Sequence, residues 1–519
     1  MPPAPRIAAI VATVLLASCA TISHEFTCPA QGGAEWRELR SEHVLLQTDL
    51  SRAKAEELLR DAELMRALVL AALFKQPPQL PDRIHLVAFR TDRELWEFTG
   101  DEGRNSYLAT FALLVEERSA DPFLAVAPAW GKNRSSYLGD LTHAITWHVS
   151  SHLFPGQPDW YRVGLATYME TLAFDDHGGR HVVGTLPPEI VAPPWEVTDT
   201  LAITLAGGSP RYGDVGLRSP GWMLVRWLSE ARPTEYLAFL KKISAGGGGT
   251  SAWIEVFPHW NPQSPEQMAL LEAELKAFYA TGKLRYREVT ASVAPTWKTR
   301  PLATSEVHEL RIRIRRDSMV LRATMDGDIR WNEGTAQDKA VALTARLAAE
   351  TAAEAAEALA EDPLHPVALR LAAGEKAIDQ TKARASAEAY PSDWRAWLLL
   401  GDAQKGSDVE GAKGAYRKAA ELGRGEPTAL LGVATGYLDM GDPVAALPVA
   451  REAARLAPFS DEALAVLAVS AARTGACPEA LVTARRLRGR LPSRKDANLV
   501  GLLEQVTSRC AAGGPTDGR

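Results

Sequence analysis

Four positions near the end of the chain recur at one spacing. Gly441, Ala446, Ala450 and Pro458 return as Gly475, Ala480, Ala484 and Pro492, each 34 residues further on. A period of that length accommodates a helix, a turn and a second, antiparallel helix. Small residues at matched points let the two helices cross closely, and the proline closes the unit because it cannot continue a helix. One unit earlier, Trp397, Leu400, Gly401, Ala412, Tyr416 and Ala419 fit the same template with one residue lost in the turn. Ala352–Pro363 and Leu369–Pro391 read as degenerate units before that. Such a unit cannot bury its apolar face alone, so neighbours must stack. Residues 339–510 are therefore expected to form an all-α solenoid with a concave face, followed by a disordered tail at 511–519.

This pattern resembles the tetratricopeptide repeat. The resemblance implies a protein or peptide partner held on the concave surface.

The start of the chain carries a different signal. Arg6 precedes an apolar run from Ile7 to Ala17, the length of an export-signal core and too short to span a bilayer. It ends in Leu16-Ala17-Ser18-Cys19, which resembles the bacterial lipobox. That resemblance implies a signal peptide at 1–18, a lipid on the sulfur of Cys19, and a tether at 19–34. Ala20 in place of an aspartate favours, by the sorting rule of such proteins, a lipid-anchored place at the outer membrane. The formal charge of -6 argues against a nucleic-acid partner. With Cys19 acylated, three thiols remain in an oxidising compartment, Cys28, Cys477 and Cys510. Cys477 and Cys510 share the C-terminal region and are the natural disulfide pair; Cys28 is the competitor left over.

Between these ends, residues 36–282 read as one α+β domain with early strands and later helices. His43–Thr48, Ile84–Phe89, Ala109–Val115 and Phe123–Ala127 are strand candidates. Ser51 and Thr91 are placed to cap the helices after the first two strands. Helices are expected at Tyr137–Leu153, Asp159–Ala173, Gly221–Ser244 and Met268–Tyr279, with irregular chain before Pro220 and a flexible break at Gly246–Gly249. Residues 283–338 read as a connector with short strands, because Leu310-Arg311-Ile312-Arg313-Ile314 alternates apolar and basic residues.

Two segments of the α+β domain are the informative ones for chemistry: His143-Ala144-Ile145-Thr146-Trp147, and Pro158-Asp159-Trp160 running to Gly164-Leu165-Ala166-Thr167-Tyr168. Together they resemble the core of the peptidase-MA-like gluzincins, zinc metallopeptidases with H-E-x-x-H on one helix and P-x-W-x-x-E-G-L-A-x-Y on the next. In that motif two histidines one turn apart bind zinc, the glutamate between them takes a proton from zinc-bound water, and the second helix supplies a third ligand. Aligned through Trp160 and Gly164, His143 keeps the first ligand. Ala144 stands at the base, Trp147 at the second ligand and Val163 at the third. None of the last three can do its chemistry. The expected result is a metallopeptidase-like domain with no catalytic residues, and Trp147 packed near Val163 as a dry core contact.

A shifted frame offers another ligand set, His148 and His152 with Glu170 downstream. It also lacks a glutamate base, since Val149 takes that place, and the bland expectation for such a pair is solvated or helix-capping histidines. No nucleophile elbow, phosphate loop or C-x-x-C is present. The combined expectation is a membrane-anchored binding or scaffold protein without a cofactor; the alternative is an active zinc peptidase using His148, His152 and Glu170.

Overall fold

Short apolar strands, buried along nearly their whole length, build the centre of the N-terminal sheet. Its strands are β1 (Arg37–Arg40), β2 (Val44–Thr48), β3 (Ile84–Ala88), β4 (Ala112–Val115) and β5 (Phe123–Val126). A separate ribbon pairs β6 (His181–Val183) with β7 (Arg287–Val289), and β8 (Lys298–Pro301) returns to the edge of the main sheet. The order is β4-β5-β3-β2-β1-β8, with β2, β3 and β5 parallel and the remaining pairings antiparallel. Parallel neighbours need crossovers. Helix α1 (Arg52–Leu73) supplies the one from β2 to β3, and α2 (Asp92–Thr99) leaves β3. Thr91 caps α2 as expected, its hydroxyl accepting from the Glu94 amide while the Glu94 carboxylate accepts from the Thr91 amide. Ser51 holds the N-cap position of α1 without a side-chain bond. This computed structural model describes residue 29 and residues 32–511, except 82, 100–111, 116–118, 128–133, 174–180, 186–197, 207–212, 282–284, 330–335, 375 and 489–496. Residues 1–18, read above as a signal segment, and Cys19, Cys28, Pro492 and residues 512–519 lie outside the described residues.

Among the described residues of the α+β domain, seven α-helices follow: α3 (Arg134–Leu153), α4 (Asp159–Glu170), α5 (Thr198–Leu205), α6 (Gly213–Ala231), α7 (Pro233–Ser244), α8 (Gly249–Val256) and α9 (Pro265–Ala280). Three differ from the sequence expectation. The chain is helical before Pro220, because Leu217, Trp222, Leu224 and Leu228 are buried along α6 and packing overrides the proline. The helix expected at Gly221–Ser244 is two, since Pro233 opens a new helix at its first turn. Gly246–Gly249 is a close-packed turn, not a flexible break. Gly246 has φ +80°, and a Cβ on Gly249 would stand 2.5 Å from the Pro158 ring.

A further difference is the largest. Leu310–Ile314 is not a strand but part of a helix, α10 (Thr304–Ile329). Val307, Leu310 and Ile314 follow helical spacing and join Trp36, Val87, Phe98, Phe123 and Ala125 on one face of the sheet. The intervening arginines looked like the polar half of a strand. Instead Arg313 reaches Asp121, and Arg311 and Arg315 reach Glu354. The opposite sheet face, with Val44, Leu46, Leu86, Leu124 and Val126, packs into the larger core shared by α1, α3 and α4. The stretch read as a connector at 283–338 thus supplies an edge strand and a core helix.

The remainder is helical: α11 (Ala336–Glu361), α12 (Pro366–Ala373), α13 (Gln380–Ala389), α14 (Trp394–Gln404), α15 (Val409–Leu422), α16 (Pro427–Asp439), α17 (Pro443–Leu456), α18 (Asp461–Arg473), α19 (Cys477–Arg488) and α20 (Ala497–Ala511). The pairs α14–α15, α16–α17 and α18–α19 are the recurring units. Gly441 and Gly475 turn the last two pairs with φ of 73° and 82°. Ala446, Ala450, Ala480 and Ala484 are buried where the helices cross. The Cys477–Cys510 disulfide holds α20 onto the last pair, with Cα atoms 5.3 Å apart. One edge of this array rests on the α+β domain. Ala120 sits among Leu430, Leu431, Ala453 and Leu456, Arg40 lies 3.8 Å from Glu426, and His152 packs edge-on to Phe459. Among the described residues, no helix is long and apolar enough to cross a membrane.

Candidate functional site

The motif helices α3 and α4 pack against each other and against α6. Gly164 and Gly221 meet backbone to backbone: a Cβ on Gly164 would stand 2.3 Å from Gly221, and one on Gly221 would stand 2.5 Å from the Trp160 carbonyl oxygen. Trp160 is fully buried, stacked on Phe239 at 5.7 Å and edge-on to Trp253. The best-matched part of the motif therefore does structural work, fixing where α4 lies.

Ala144 and Val163 are buried members of the main core. Trp147 is only half-buried, at the rim of that core. Its ring lies 4.9 Å from the His143 ring and carries the Arg162 guanidinium 4.6 Å above it. Arg162 also reaches Asp159 at 3.4 Å. Ala144 and Val163 are thus apolar core, while Trp147 is a cation-covered platform at the edge and not the dry core contact expected of it.

His143 is not idle. Its Nδ1 pairs with the carboxylate of Glu170, whose other oxygen accepts from Arg218 at 2.7 Å. Sequence reasoning missed this triad. The signal was present: Glu170 lies seven positions after Val163, two turns along the same side of α4. Arg218 comes from α6 and offered no local cue. The arrangement clips α3, α4 and α6 together through one buried carboxylate. It holds two metal-capable groups, and the guanidinium on Glu170 opposes a cation there.

The shifted ligand set does not assemble, since Glu170 goes to His143 and not to His148 and His152. Those two are not solvated caps either. Both are buried, with rings 4.7 Å apart, and His152 Nδ1 donates to the His148 carbonyl at 3.0 Å. Phe459 of the solenoid covers His152, which sequence periodicity has no means of showing. Burial pushes His148 well below the usual histidine range, helped by His152 and Arg66. Burial likewise brings His152 down to about 4.

Among the described residues, one set of three metal-capable side chains has ligand atoms within 4.8 Å of one another, and it lies elsewhere: His308, Glu354 and Glu357, between α10 and α11. Arg311, 2.8 Å from Glu354, and Arg315, at 3.4 Å, already compensate that carboxylate.

Along the solenoid, α16, α18 and α20 leave an open groove of about 550 Å³. Leu438, Ala465, Val466, Val469 and Leu502 line it, with Asp439 and Arg473 at the rim. Lys405 neutralises Asp439 at 2.6 Å.

Fold and site together define an α+β domain joined to a tetratricopeptide-like helical solenoid. No family model matches the sequence, and no curated protein matches it. Among solved structures, the crystal structure of yeast Tom70 is similar at a TM-score of 0.26 and 11% identity, covering 88% of this chain and 84% of that one. The solenoid stands on this chain's own helix pairs, its 34-residue period and its glycine turns.

Glu170→Gln should lower stability by about 2–3 kcal/mol, because it removes a buried carboxylate charge that His143 and the Arg218 guanidinium share. Urea unfolding of both proteins measures this; an unchanged midpoint would show that the triad holds nothing. The histidine pair gives a pH prediction. His148 and His152 are held neutral when folded and regain a pKa near 6.5 on unfolding. Their contribution is complete above about 6.5 and is lost as pH falls toward 4. Thermal melts across that window should show Tm falling in the parent, and falling less in the His148→Phe, His152→Phe double variant.

Proposed function

We propose that the protein is a membrane-tethered, extracytoplasmic binding scaffold. Its solenoid captures a protein or peptide partner, and its α+β domain is a metallopeptidase-like body without peptidase activity. The observation that carries the binding reading is the open groove on α16 and α18, where aliphatic side chains lie beside Asp439 and Arg473. Grooves of this volume and lining suit short segments of another chain.

The silent-domain reading is supported by the apolar core at Ala144 and Val163 and by the commitment of His143 to Glu170. An alanine cannot deprotonate water, and neither an isopropyl group nor a carbon-faced indole ligates zinc. In this reading the domain positions the solenoid at a set distance from the tether. The lipid on Cys19 and the placement at the outer membrane rest on the Leu16-Ala17-Ser18-Cys19 segment alone.

Purified protein should carry no stoichiometric zinc by metal analysis, and chelators should leave its Tm unchanged. The Ala144→Glu, Trp147→His, Val163→Glu triple variant should be destabilised by several kcal/mol, as unpaired buried carboxylates cost about that much. Added zinc should restore part of the loss. Stoichiometric zinc in the parent, lost on changing His148 and His152, would replace this reading with an active zinc enzyme. For the tether, Cys19→Ala should move the protein from the membrane fraction to the soluble one. Retention of that variant on membranes in high salt would remove the lipid anchor.

A further inference from the structure

The groove at the C-terminal end of the solenoid is walled on two sides by repeat helices, α16 and α18. The third wall, Leu502, comes from α20, a helix outside the repeat pattern. Helix α20 is held by more than packing. Leu503 and Val506 are buried against α18 and α19, Arg509 Nε donates to the Ala472 carbonyl at 3.1 Å, and Cys510 is bonded to Cys477. The helix that carries this wall is therefore stapled, at Cys510 near its end, to Cys477 at the start of α19, just after the turn that follows Arg473.

That rim is unbalanced. Asp439 is satisfied by Lys405, whereas Arg473 is exposed, has no carboxylate partner among the described residues, and gives one hydrogen bond to the Leu438 carbonyl at 3.3 Å. An aliphatic floor next to an exposed guanidinium with unused donors suits one chemistry: an apolar side chain with a carboxylate close by in sequence.

We propose that this stapled groove binds an extended segment of a partner protein bearing an aliphatic residue beside an acidic one. Arg473 pairs with the acid, the floor of Leu438, Val466, Val469 and Leu502 takes the aliphatic side chain, and the Cys477–Cys510 bond holds the Leu502 wall in place. This deepens the scaffold reading above and rests on it.

A random heptapeptide display library selected on the full chain, disulfide intact, tests both. Selected peptides should be enriched in aliphatic–acidic pairs, and Arg473→Glu should switch the enrichment to aliphatic–basic pairs. For a synthetic peptide from the selection, Leu502→Asp should weaken binding at least tenfold by fluorescence anisotropy. The Cys477→Ser, Cys510→Ser double variant, checked by circular dichroism for retained helix content, should do the same. Selection of peptides whose charge preference ignores Arg473→Glu and whose binding ignores Leu502→Asp would overturn this groove while leaving the scaffold reading standing. A library that yields no binder would overturn both. Undiminished affinity in the serine variant would overturn the role of the staple.

Discussion

Helix α10 is the element on which the two halves of the molecule depend. One side of it, with Val307, Leu310 and Ile314, completes the second face of the sheet. Another side carries His308, Arg311 and Arg315 onto the buried carboxylate of Glu354 in α11. A single carboxylate with three basic partners in a dry interface holds only if each is well placed, and loss of one leaves the others unpaired. The sheet therefore cannot be completed without presenting the first helix of the array in a set orientation. The contacts of Ala120 and His152 with the later repeats follow from that start.

A second buried carboxylate ties α3, α4 and α6, with His143 on one oxygen of Glu170 and Arg218 on the other. The crossing of these helices is held by that carboxylate and by the Gly164–Gly221 contact. Trp160 and Ala166, both buried, pack around the same crossing.

The histidine pair shows the same economy of position. His148 and His152 stand one turn apart on α3, a spacing that suggests ligands or caps. Their surroundings make them neutral filler at a contact between domains, with Phe459 as the lid over His152. Their neutrality links the stability of that contact to pH in a way that a pair of leucines would not.

Local and periodic information decided much of this protein. The 34-residue recurrence, the glycine turns, the Cys477–Cys510 pair, the helices at His143 and Trp160 and the strands β2, β3, β4 and β5 are all legible in the sequence, because each depends on neighbours within one or two turns or within one repeat. The apolar replacements at Ala144 and Val163 are legible for the same reason. What the sequence could not decide was set by contacts between distant segments. Leu310–Ile314 has a strand's alternation, yet it is helical because its arginines find Asp121 and Glu354 at long range. Glu170 has equal sequence claims to several histidines, and only the crossing of α3, α4 and α6 gives it to His143 and Arg218. The glycine run reads as a break until Pro158 is brought against it. In each case side-chain pattern fixes which faces can be buried, and the tertiary fold alone determines which partner buries them.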